Sequence, residues 1–140
     1  MSHTTVELVS RIRSASRQFV REHGFLAKTI AGTELSASGV HAVIELGHSG
    51  SLTAKDLAER LNLEKSTISR LVKSLEARGE IETAPHDKDG RAQVLSLTDQ
   101  GKKTLETASS YADQLVRRAL PSLNGTRTED LADALTAYTN

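Results

Sequence analysis

Lys65, Ser66, Thr67, Ser69, Arg70 and Lys73 bring cations and hydroxyls together in one short stretch. These are the groups that hydrogen-bond phosphate oxygens and the edges of bases. Ile68, Leu71, Val72 and Leu75 recur between them at helical spacing, so the polar set falls on the opposite side of a helix expected from residue 64 or 65 to 78. Lys65, Arg70, Lys73 and Arg78 against Glu76 give a local charge of +3, in a chain whose 18 Lys and Arg balance 18 Asp and Glu. Phosphate attraction can therefore be local while the whole chain is neutral. The bland alternative is an ordinary helical hairpin with a solvated face.

The residues upstream decide between the two. Thr53, with Asp56 three positions on, has the spacing of a capping box and opens a helix expected over 54–61. Two helices that meet steeply need a small residue at the crossing, a turn residue that tolerates left-handed backbone, and regular core residues in the second helix. Ala58, Asn62 and the set Leu63, Ile68 and Leu71 meet those demands. The arrangement is a helix-turn-helix whose second helix presents base-reading chemistry over its first two turns.

Two short strands are expected next, over 80–84 with Ile81 inward and over 92–97 with Leu95 and Leu97 on one face and Val94 on the other. Their polar tip, 85–91, carries Lys88, Asp89, Gly90 and Arg91. A guanidinium at such a tip suits a narrow minor groove, and Asp89 can orient Arg91. The competing reading is an exposed hairpin whose charges only aid solubility.

The remaining elements must hold this unit. Leu8, Ile12, Ala15 and Phe19 mark an amphipathic helix over 5–22 that Gly24 ends, and Phe25, Leu26 and Ile30 make the following connector too apolar for a free linker. Ser36 caps a helix carrying Val40, Val43, Ile44 and Leu46, expected to stop at Gly47. Leu52 makes a short strand. Thr98 caps a long helix in which Leu105, Ala108, Ala112, Leu115 and Ala119 repeat every three or four residues, the seam of paired helices. Pro121 closes it. Thr126 and Glu129 have capping-box spacing before Leu131, Leu135 and Tyr138, and the last helix reaches Asn140 without a stop signal. The expected fold is mostly α with a small two- or three-stranded β wing.

With those residues in view, most of the chain, from Leu8 to Leu120, resembles the MarR family of dimeric winged-helix regulators. The likeness lies in Leu57-Ala58-Glu59-Arg60-Leu61, Ser66-Thr67-Ile68-Ser69-Arg70-Leu71-Val72, Leu75-Glu76-Ala77-Arg78-Gly79 and Asp89-Gly90-Arg91-Ala92 running into Leu97-Thr98. The resemblance implies one domain over 1–140, with a winged lobe at about 34–98 and dimerisation helices over 5–22 and 98–139. It implies a triangular homodimer in which the first and last helices interlock. It puts Ser66, Thr67, Arg70 and Lys73 on recognition-helix positions and Asp89 and Arg91 on wing positions. His86 and Gly90 depart from the acidic and second basic residue many members carry there, which implies thinner wing contacts. The segments 20–26 and 35–47 also resemble the regulator half of proteins that fuse such a domain to a GNAT-type acetyltransferase.

The expected function is that of a sequence-specific transcriptional regulator, a repressor on a near-palindromic duplex site whose affinity a small-molecule effector changes. Two alternatives stand beside it: the regulatory N-terminal part of a bifunctional N-acetyltransferase, and a winged-helix protein whose lobes bind protein. The set expected to touch DNA is Lys65, Ser66, Thr67, Ser69, Arg70, Lys73, Lys88, Asp89 and Arg91. No catalytic residue, cofactor or metal is expected. The absence of cysteine excludes thiolate zinc sites and thiol chemistry. His41, Glu45 and His48 share a helix face, but the outer pair spans roughly 10 Å along the axis, too far to hold one ion without a third element. His41 could instead border an effector pocket. Asp87-Lys88-Asp89-Gly90 fails as a calcium loop, because Pro85 and Ser96 occupy the positions of its first and closing ligands. Without a secretory signal, the sequon Asn124-Gly125-Thr126 is irrelevant, and a cytoplasmic protein with no membrane association is expected.

Overall fold

The computed structural model describes residues 2–24, 27–85 and 92–140. Helix α1 spans Ser2–Glu22, α2 Ala37–Ser49, α3 Ala54–Leu61, α4 Lys65–Ala77, α5 Asp99–Ala119 and α6 Gly125–Thr139. Strands β1, β2 and β3 span Leu52–Thr53, Ile81–Pro85 and Gln93–Leu97. The sheet is antiparallel in the order β1-β3-β2, with Leu52 opposite Leu95 and Ile81 opposite Leu97. The fold is thus mostly helical with a three-stranded wing.

Local chemistry sets most of the boundaries. Ser36, Thr53 and Thr98 each accept a hydrogen bond from the backbone N–H three residues on, opening α2, α3 and α5. Asn62 takes the left-handed conformation, φ 55 and ψ 46, and turns the chain from α3 into α4. Leu46, Leu57, Leu75, Leu95 and Val43 are the largest fully buried side chains, so the core lies where α2, α3 and α4 meet the face of β3 that carries Leu95. Ile30 and Leu35 join it from the connector, where the Ile30 N–H donates to the Leu35 carbonyl at 2.9 Å. The apolar pair Phe25 and Leu26 lies outside the described residues.

Three expectations change. Gly47 does not end α2, which continues to Ser49 and stops at Gly50, φ 79. Gly47 is instead where α2 passes α5, since a Cβ there would run into the Leu105 side chain. Asn124, not Thr126, caps α6, its Oδ1 accepting from the Arg127 N–H at 3.0 Å, so Thr126 already lies inside the helix. The expected α5 seam also divides. Leu105 and Ala108 pack against the chain's own core, whereas Ala112 and Ala119 are exposed and Leu115 is half-buried.

The start of α5 is tied to the end of α4. The Thr98 hydroxyl donates to the Gly79 carbonyl while accepting from the Gly101 N–H, and Gly101 lies so close to the Glu80 carbonyl that a Cβ would collide with it. Replacing Thr98 by alanine removes both bonds, and denaturant unfolding should show a loss of about 1 kcal/mol, that of an N-cap.

Candidate nucleic-acid interface

Helix α4 separates its two kinds of side chain by burial. Ile68 and Leu75 are buried, and Leu71 and Val72 are half-buried against the same core. Lys65, Ser66, Ser69, Arg70 and Lys73 are exposed and Thr67 is half-buried. The apolar residues thus fix the helix so that its polar set faces outward. No acid lies in the first turn, and the N-cap Glu64 makes no side-chain capping bond. The first N–H groups of the helix, beside Lys65 and Ser66, are therefore not capped by a side chain.

Neighbouring elements hold α4 in place. At its C-terminal end Glu76 accepts from the Thr83 hydroxyl at 3.0 Å, which ties the helix to β2. On α3, the Arg60 guanidinium donates to Ser49 Oγ at 2.8 Å and to Glu45 at 3.3 Å, pinning α3 to α2. That bond also engages Glu45, the middle residue of the His41, Glu45 and His48 face. Arg78 lies 3.9 Å from the exposed Glu34, a pair of little energetic weight. Among the described residues Lys65, Arg70 and Lys73 form no ion pair, so their charge is directed at solvent.

An open groove of about 880 Å³ runs between α3, α4 and the two wing strands. Lys65, Ser69 and Lys73 line its α4 side, and Lys55 and Gln93 line other parts of it. Sequence reasoning missed those last two. Lys55 follows the α3 cap and adds a cation near the polar face of α4, a placement legible only once the two helices are known to cross. The wing candidates Lys88, Asp89 and Arg91 lie outside the described residues.

The MarR family model matches residues 34–92, which contain α2, α3, α4 and the strand β2. The regulator BilQ of Clostridium symbiosum, described as an HTH-type transcriptional regulator, is 31% identical over 96 residues, covering 65% of this chain and 67% of its own length. The chain belongs to the MarR family of winged helix-turn-helix transcriptional regulators. Two solved MarR-type structures share its fold at lower identity. A mutant of MarR from E. coli complexed with operator DNA superposes with a TM-score of 0.78 at 16% identity, over 96% of each chain. BpsR of Bordetella bronchiseptica, whose DNA binding is regulated by 6-hydroxynicotinic acid, superposes with a TM-score of 0.76 at 18% identity, over 94% of this chain and 99% of BpsR. Membership makes this chain a DNA-binding regulator, and these findings favour that reading over the acetyltransferase alternative. No described helix is long and apolar enough to cross a membrane.

Proposed function

We propose that the protein is a cytoplasmic, non-enzymatic homodimeric repressor that reads a near-palindromic duplex with α4 of each subunit and is released by a small ligand. The observation that carries this reading is the polar face of α4, with Lys65, Ser66, Ser69, Arg70 and Lys73 exposed opposite buried Ile68 and Leu75. Ser66, Thr67, Ser69 and Arg70 would contact bases, and Lys65 and Lys73 phosphates. The lobe at 34–98 would bind DNA, with 5–22 and 98–139 forming the dimer. Lys88, Asp89 and Arg91 are assigned to the wing contact with the minor groove. Ligand release draws support from the fold shared with BpsR. Selection of bound fragments from genomic DNA tests the reading: recovered sequences should share two inverted half-sites about one helical turn apart, and fragments without a common site would refute it.

The dimer is supported by what the helices leave uncovered. α6 buries no side chain, and the described side chains of α1 are exposed or half-buried. Val6 is 70% and Tyr138 75% exposed, with Ile12, Phe19, Leu131 and Leu135 also open. Together they exceed the scattered apolar exposure usual on a monomer. Their charges complement one another: α1 carries Arg11, Arg13, Arg17 and Arg21 against Glu7 and Glu22, and α6 carries Glu129, Asp130 and Asp133 against Arg127. Sedimentation at micromolar concentration should give a dimer, and a monomer would contradict the assignment of these helices.

Replacing Arg91 by alanine should weaken operator binding without lowering stability by more than about 0.5 kcal/mol, the expectation for a residue within a stretch of polar composition. The loss should be larger where A/T-rich sequence flanks each half-site, because a narrow minor groove attracts guanidinium more strongly. Melting temperature and affinity for operators differing only in those flanks check it. A large fall in melting temperature, or a loss independent of the flanks, would remove Arg91 from the minor groove.

A further inference from the structure

Glu80 follows the turn that ends α4, and its backbone is held on both sides. Its N–H donates to the Leu75 carbonyl at 2.9 Å, and its carbonyl accepts from the Thr98 N–H at 3.1 Å with Gly101 packed against it. The residue is 7% exposed, and Oε2 is buried with no hydrogen-bond partner. Such orphaned acceptors are rare because they forfeit solvation without compensation.

Glu80 lines an open cavity of about 240 Å³ bounded by the connector from Gly32 to Leu35, which adds the exposed carboxylate of Glu34, and by the first turns of α5. The threonines of that wall cannot satisfy it. Thr33 donates its hydroxyl proton to the Ile30 carbonyl at 2.7 Å, Thr104 to Gln100 at 3.2 Å and Thr107 to Lys103 at 3.2 Å. Their protons are spent on backbone, so these three hydroxyls can only accept from an occupant of the cavity. Lys103 and Gln100 also line it without bonding Glu80 Oε2, and both can donate to an acceptor on a bound molecule.

We infer that this cavity binds a small primary amine that also carries a hydrogen-bond acceptor, the chemistry of an amino alcohol or a short amino acid. The ammonium would donate to Glu80 and the acceptor would face Lys103 and Gln100. The size fits, since the volume lies below the roughly 300 Å³ at which pockets for drug-sized ligands begin. The cavity is lined by the connector that leads into α2, by the residue after the α4 turn and by α5, so an occupant bridges the helix assigned to the dimer and the root of the recognition helix. Its regulatory consequence rests on the proposal that a small ligand releases DNA.

Calorimetric titration of the full chain with ethanolamine and β-alanine, against propanol and propionate as partners lacking the amine, tests the site. The amines should bind and the matched molecules should not. Replacing Glu80 by glutamine, which keeps the shape and removes the charge, should weaken amine binding roughly tenfold or more. Amide resonances of the wild type, followed through the same titration, keep the test decisive should that variant fold poorly: shifts centred on Gly32, Glu80 and Thr104 support the site. No binding at millimolar amine, equal binding of propanol, shifts centred elsewhere, or unchanged affinity in Glu80→Gln would each overturn it and leave the cavity to trapped water. Operator affinity measured with and without amine separates the two claims. Amine bound at Glu80 with no change in DNA affinity keeps the site and overturns its role as effector pocket.

Discussion

Replacing Leu75 by alanine should destabilise the winged lobe by about 2 to 5 kcal/mol, the range for emptying a fully buried leucine site. Leu75 is 1% exposed on α4, and its carbonyl receives the Glu80 N–H that ends the helix. Removing the side chain leaves a void beneath the last turn of α4, where Ile81 is also buried. Such a loss is a large fraction of the roughly 5 to 15 kcal/mol that holds a typical domain folded. Denaturant unfolding followed by circular dichroism measures it. A change below about 1 kcal/mol would show that α4 is anchored elsewhere.

Replacing Arg70 by alanine should cost about 1 to 3 kcal/mol in operator affinity and relax preference at one base, because a guanidinium fork can grip guanine O6 and N7 together. Arg70 is exposed on α4 and has no ion-pair partner among the described residues, so little stability should be lost with it. Replacing Lys73 by alanine should behave differently. It should weaken all sequences alike and reduce the salt dependence by about one phosphate contact. Anisotropy titrations against the selected operator and random duplex separate the two patterns. Equal losses on both duplexes for Arg70→Ala would remove Arg70 from base reading.

The polar face of α4 was legible because the residues that make it obey local rules. The helical spacing of Ile68, Leu71, Val72 and Leu75 leaves one side for Lys65, Ser66, Ser69, Arg70 and Lys73, and Asn62 marks the turn before them. The caps at Ser36, Thr53 and Thr98 were legible for the same reason, since each accepts from a backbone N–H three residues away. What failed depended on neighbours distant in sequence. A glycine that ends a helix and one that admits a close crossing look alike in a string, and only the approach of Leu105 distinguishes Gly47. Leu105 and Ala108 carry the period of a seam between helices, yet that period does not say whether the covering surface belongs to the same chain. Glu80 read as the polar start of a strand. Its burial follows from α5 closing over the end of α4, a contact between segments about twenty residues apart.

The measurement that bears most directly on a regulator reading DNA through α4 is the affinity of the wild-type chain for a selected genomic duplex and for the same duplex scrambled, each at about 50 and about 200 mM salt. Tight saturable binding to the selected duplex is expected, at least roughly a thousandfold stronger than to the scrambled one. Both affinities should fall as salt rises, as contacts from Lys65, Lys73 and the wing cations require. Equal affinity for the two duplexes, or binding indifferent to salt, would contradict it.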